Sequence, residues 1–130
     1  HLNPRRVKPC PKLSEAVKGA EYLILAVPAA FLPEGLKGLK PEDFAGKVVV
    51  SAIKGMIPGD NLLVTDWVEK TFGVSQEQLC AIAGPCHAEE VALEKQSYLT
   101  IASPSLEVAQ RFARHLTCRY VTAHGITDLY

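Results

Sequence analysis

Between Tyr22 and Val27 six apolar residues, YLILAV, follow one another without a polar residue among them. A strand with one face in water alternates apolar and polar positions, so an unbroken run predicts a strand covered on both faces. Lys47 to Ile53, with Val48, Val49 and Val50 at its centre, and Cys80 to Ala83 read the same way. Strands of this kind pair in parallel, and parallel neighbours need crossover segments between them. The spacing supplies such segments. Leu13, Ala16, Val17 and Ala20 fall at helical intervals, with Gly19 placed to end that helix in a left-handed conformation. A helix is expected from Ala29 to Leu39, with Pro33 near its first turn. After a turn at Pro58, Gly59 and Asp60, with Asp60 as cap, Val64, Val68 and Phe72 predict a helix that Gly73 closes.

The rest of the chain repeats the pattern. A strand at Cys80 to Ala83, a turn at Gly84 and Pro85, a helix from His87 to about Leu93 and a strand at Tyr98 to Ala102 are expected in turn. Ser103 and Pro104 then read as cap and first residue of a helix carrying Leu106, Ala109, Phe112, Ala113 and Leu116, before a last strand at Arg119 to Thr122. The prediction is an α/β fold: a mainly parallel twisted sheet with helices on both faces. At 130 residues, one domain is expected, with an extended lead-in over 1–12 where proline and basic residues crowd together.

Charge narrows the partners. Fourteen basic residues balance fourteen acidic ones and no run of like charge occurs, which argues against a nucleic-acid groove or an anionic membrane surface. A small metabolite is the expected ligand, with homodimer formation left open. Cys10, Cys80, Cys86 and Cys118 contain no C-x-x-C pair and read as reduced thiols in a cytoplasmic protein, and no metal site is expected. No apolar stretch reaches the length of a membrane span, and the N-terminal HLNPRRVKPCPK lacks the apolar centre of a signal peptide. The chain does not begin with methionine and is read as a piece or a processed product.

Sheets of this class bind ligands beyond the C-terminal ends of their strands. That rule selects Pro28 to Phe31, Lys54 to Gly59 and Gly84 to Ala88. Lys54 would place a cation at that edge, able to hold a phosphate or polarise a carbonyl. The competing reading is a lysine that reaches out to water from a strand end. Gly84 would let the backbone approach a ligand, and the first turn of the following helix would attract an anion. An ordinary strand-to-helix turn that binds nothing is the alternative there.

Taken together, LILAVPAAFL, SAIKGMIPGDNLL and IAGPCHAEEVALEKQSYLTIAS resemble the cofactor-binding domain of bacterial NAD(P)-dependent glycerol-3-phosphate dehydrogenases, from about Ser14 onward. The K-G-x-x-P-G and G-P-x-x-A-E-E-V-A turns carry most of that resemblance. It implies a Rossmann-like domain and the cofactor NAD(P)H. The implied reaction converts dihydroxyacetone phosphate to glycerol 3-phosphate, feeding phospholipid synthesis. It implies that Lys54 is catalytic and touches both substrate and cofactor, that Gly84 and Cys86 contact substrate, and that Phe31 and Ala88 contact cofactor. Cys86 and His87 depart from the family's commoner Ser-Phe or Thr-Phe, leaving a backbone N–H at Cys86 as the expected substitute for the hydroxyl.

The chain has no G-x-G-x-x-G, the turn that seats a dinucleotide pyrophosphate. The resemblance therefore implies a partial domain lacking its first βα unit, and a helical catalytic domain that is also missing. Two other readings remain open. One is a related two-domain dehydrogenase acting on another small 2-oxo or 2-hydroxy compound. The other is a non-catalytic module that associates through an exposed sheet edge. A nucleophilic pair of Cys86 and His87 is set aside, because adjacent residues at a helix start point in different directions.

Overall fold

Val49 and Val50 are adjacent in the sequence and both buried, yet they join different cores. Successive side chains of a strand point to opposite faces, so a run of valines is stable only where both faces are covered. In the computed structural model, which describes residues 3–84 and 86–128, these valines lie on β2 (Val48–Ser51). The sheet has five strands in the order β1-β2-β5-β6-β7. Here β1 is Tyr22–Leu25, β5 is Leu79–Ala83, β6 is Ser97–Ala102 and β7 is Val121–Ile126. The pairs β1–β2, β2–β5 and β6–β7 are parallel, and β5–β6 is antiparallel.

One face carries α2 (Leu32–Gly35) and α3 (Val64–Phe72), whose Leu32, Val64, Trp67, Val68 and Phe72 pack with Val49 and Leu79. Phe72 stacks at a tilt on Phe44, 4.5 Å between ring centres, and meets Trp67 edge-on at 5.9 Å. Such aromatic pairs add about 1 kcal/mol each beyond the area they bury. The opposite face carries α5 (Leu106–Leu116), whose Ala109, Phe112 and Ala113 pack with Val50, Cys80 and Ile101. Burial pushes the Cys80 thiol up, an effect that its hydrogen bond with Ser103 opposes. The mainly parallel sheet with helices on both faces is thus present.

Several local expectations change. β1 is an edge strand, and Ile24 at its centre is 49% exposed, so the run is not covered on both faces as its apolar continuity predicts. Leu13, Val17, Ile24 and Leu36 line an open groove of about 270 Å³ along this edge. The first helix is α1 (Leu13–Lys18), and Gly19 at its end is right-handed rather than left-handed. There Ala20 N–H donates to Val17 O, a tighter closing bond that needs no positive φ. The helix expected over 29–39 is a 3-10 turn, Ala29–Phe31, followed by the single turn of α2.

Asp60 does not cap α3. Met56–Ile57 (β3) and Leu62–Leu63 (β4) instead form a two-stranded antiparallel hairpin around it, closed by Asn61 N–H to Ile57 O at 2.9 Å. Leu63 stands at the N-cap of α3 without a capping side chain, while Gly73 closes the helix with φ +66 as expected. Ser105, not Ser103, caps α5: its Oγ accepts from Val108 N–H, and Ser103 Oγ accepts from Ser105 N–H. The short α4 (Ala88–Ala92) returns the chain antiparallel rather than as a parallel crossover. The last strand runs to Ile126, longer than the expected Arg119 to Thr122. Within the expected lead-in, Arg6 and Val7 N–H both donate to Asn3 O, and His1 and Leu2 lie outside the described residues.

Candidate functional site

Register places three chain segments at one height. Leu25 pairs with Ser51 and Ser51 pairs with Ala81, all in parallel strands. Pro28, Lys54 and Gly84 each follow three residues later, so they leave the same edge of three adjacent strands. This is the C-terminal edge where sheets of this class take ligands.

After β1, Phe31 N–H donates to Pro28 O at 2.9 Å, and the turn this closes holds the Phe31 ring outward, 65% exposed. After β2, the buried Ser51 accepts from Ile53 N–H through its hydroxyl, which bends the chain out of the sheet. Lys54 follows in solvent, with Gly55 at φ +93 turning the chain into β3. Among the described residues Lys54 makes no hydrogen bond or ion pair, so its charge is not committed elsewhere.

Gly84 has φ +128 and lies against β6, where a Cβ would stand 3.0 Å from Tyr98 O. Only glycine fits there without displacing the β6 backbone. Cys86 is half-buried, and its N–H donates to Gly84 O at 3.0 Å. That N–H is therefore already used, which corrects the expectation that it substitutes for the family's hydroxyl. The thiol, a weak donor, is what remains. Ala88 is exposed at the first position of α4, with His87 as N-cap. Pro85, the second residue of the expected turn, lies outside the described residues. The anion-attracting helix start also needs correction. α4 has five residues and carries Glu89 and Glu90 in its first turn, so its end field is small and opposed by two carboxylates.

A cavity of about 130 Å³ opens below Lys54, between the ends of β2 and β5 and the start of α3, lined in part by Ser51, Ile53, Gly55, Thr65 and Ala81. It is too small for a dinucleotide, which would have to lie across the open edge. The sequence rule took in Met56 within Lys54 to Gly59 but gave it no role, and read only a turn at Pro58 to Asp60 where the hairpin stands. The signal was there: Met-Ile and Leu-Leu flank a Pro-Gly-Asp-Asn turn, the pattern of a short hairpin. β3 packs against the Ala29–Phe31 turn.

The described residues fit part of a dinucleotide. Exposed Val27, Phe31 and Met56 offer apolar surface to a flat ring, and Lys54 offers a cation. None of them forms a glycine-rich cradle for a pyrophosphate. Among the described residues no group of three or more His, Cys, Asp or Glu is placed to hold a metal ion, and no helix is long and apolar enough to cross a membrane.

Comparison with known proteins gives the family and the fold. Residues 1–109 match the sequence family described as NAD-dependent glycerol-3-phosphate dehydrogenase N-terminus. A glycerol-3-phosphate dehydrogenase (NAD(P)+) of Frankia casuarinae is 31% identical over 126 residues, covering 97% of this chain and 38% of the relative. That of Chlorobium luteolum is 32% identical over 99 residues, covering 75% and 30%. The chain thus spans little more than a third of these relatives at most. The glycerol-3-phosphate dehydrogenase structure from Coxiella burnetii superposes with a TM-score of 0.79 at 21% identity, over 91% of this chain and 35% of that one. The Plasmodium falciparum structure gives 0.79 at 22%, over 91% and 33%. At these identities the structures establish a shared Rossmann-like fold.

Proposed function

The chain belongs to the NAD-dependent glycerol-3-phosphate dehydrogenase N-terminal family, and from that premise we propose that it is the substrate-facing part of a cofactor-binding domain in an enzyme that reduces dihydroxyacetone phosphate to glycerol 3-phosphate. The observation that carries the reading is Lys54, an uncommitted cation at the same sheet height as the Gly84 turn. NAD(P)H, when bound, supplies the hydride. The chain's own residues prepare the acceptor.

Lys54 donates a hydrogen bond to the carbonyl oxygen of the substrate, on which negative charge grows as the bond is reduced. An interaction that strengthens towards the transition state raises turnover rather than binding alone. Gly84, packed against β6 where a side chain would not fit, borders the substrate with its backbone at the β5 end, and the Cys86 thiol lies beside it. Phe31 and Ala88 border the cofactor. The open β1 edge takes the strand of a preceding βα unit that carries the pyrophosphate turn, so the domain described is a partial one. The four unpaired thiols go with a cytoplasmic setting.

One observation favours a second reading. The same open β1 edge, with its apolar groove, suits association with another copy in a homodimer. Light scattering separates the two: a full-length protein that stays monomeric leaves the edge to its own preceding strand.

Steady-state kinetics on Lys54→Ala in the full-length enzyme test the main reading. The expected loss is about a hundredfold in kcat, equivalent to about 3 kcal/mol of transition-state stabilisation. Lys54→Arg should recover only part, because a planar guanidinium does not replace a compact ammonium in a tight site. Wild-type values for both kcat and KM in Lys54→Ala would make Lys54 a surface lysine and remove it from the chemistry.

A further inference from the structure

Met56 lies two residues beyond Lys54 on β3, where alternation fixes its direction. Its neighbour Ile57 is buried in the core under α3, so Met56 must face the other way, and it is 50% exposed. β3 packs against the turn Ala29–Phe31, so the hairpin that carries Met56 meets the turn that carries the exposed Phe31. Met56 and Phe31 therefore reach one end of the sheet on two different segments, the hairpin that follows β2 and the turn that follows β1. Both are apolar and both stand in solvent. Val27, just past β1, adds exposed apolar surface at the same edge, whereas Gly84, Ala88 and Lys54 are small or charged.

Exposed apolar residues that converge on a ligand edge need an occupant with a flat, apolar surface. A methionine is suited to that task, because its unbranched thioether adapts to a ring face and its sulfur interacts favourably with aromatic groups. We propose that Met56 is a further cofactor-binding residue, which with Phe31 forms an apolar seat for one heteroaromatic ring of NAD(P)H. The proposal rests on the dehydrogenase reading above. It goes beyond that reading by assigning a contact to the hairpin, where the sequence reads only as a turn at Pro58 to Asp60. The hairpin then has a purpose: it carries Met56 over to the Phe31 turn while Ile57 anchors it.

Both the nicotinamide and the adenine rings have the required chemistry, so the experiment distinguishes them. NADH and ADP-ribose, which lacks nicotinamide, are titrated into the full-length enzyme by fluorescence and calorimetry, using wild type, Met56→Gln and Met56→Leu. Met56→Gln keeps the length of the side chain but makes its end polar, and it should weaken NADH by about fivefold. Met56→Leu should stay within about twofold of wild type. In steady-state assays Met56→Gln should raise KM for NADH while KM for dihydroxyacetone phosphate holds, a split that a merely structural role would not produce. If ADP-ribose weakens in parallel, the ring seated is adenine. If ADP-ribose is unaffected, it is nicotinamide. Unchanged NADH affinity in Met56→Gln, with wild-type binding intact, would overturn the assignment of Met56 alone. Failure of wild type to bind NADH would overturn the dehydrogenase reading and this inference with it.

Discussion

Gly84 shows how one backbone position constrains both stability and the site. Its φ of +128 is a region that side chains with a Cβ rarely adopt, and an added Cβ would press on Tyr98 O at 3.0 Å. The obstacle is backbone carbonyl oxygen in a paired strand, which cannot swing aside as the end of a flexible side chain can. Gly84→Ala should therefore destabilise the protein by about 2 kcal/mol, visible as an earlier midpoint in denaturant unfolding. An unchanged midpoint would mean that the β5 turn relaxes freely and does not hold a fixed geometry. Lys54 illustrates the opposite situation. Among the described residues nothing uses its side chain, so its removal should leave stability within about 0.5 kcal/mol while affecting turnover.

Among the elements, the α5 cap gives a direct comparison of what the sequence suggests with what the chain does. Ser103-Pro104 has the form of a cap followed by a first helical residue, yet the helix starts two residues later, with Ser105 Oγ accepting from Val108 N–H. Ser103 is fully buried, hydrogen-bonded to Ser105 N–H, and in contact with the Cys80 thiol. Ser105→Ala should cost about 1 kcal/mol, the usual worth of an N-cap, measured by thermal unfolding.

The long elements were legible for physical reasons. Val48 to Val50 and the Val64, Val68, Phe72 spacing encode burial, and burial is what the periodicity of a sequence records. The position of β1 at the sheet edge was not legible, because its residues carry the composition of a covered strand while Ile24 is half exposed among the described residues. The reversal between β5 and β6 was hidden as well, since the α4 segment reads as a crossover and only its shortness betrays a return. At the site, the edge rule selected Phe31, Lys54 and the Gly84 turn together. It took in Met56 within Lys54 to Gly59 without giving it a role, because two-residue strands are too short for alternation to register.

On the scale of the whole molecule, the sheet has two unlike halves. The parallel trio β1, β2 and β5 presents its C-terminal ends as one edge, and β6 and β7 extend it with reversed direction. The chemistry proposed here uses only the trio, to which Phe31, Lys54 and Gly84 belong by register. In the proposed reading these residues form the half of a dinucleotide site that faces the ring and the reacting carbon. The described chain provides no glycine-rich pyrophosphate turn. By itself it should therefore show no reduction of dihydroxyacetone phosphate above a buffer blank. The most direct test of the central claim is the oxidation of NAD(P)H by the purified full-length enzyme with dihydroxyacetone phosphate, set against a panel of other small 2-oxo compounds. Oxidation that depends on dihydroxyacetone phosphate and is fastest with it is the result expected, and oxidation that prefers another 2-oxo compound, or none with any of them, would contradict the account.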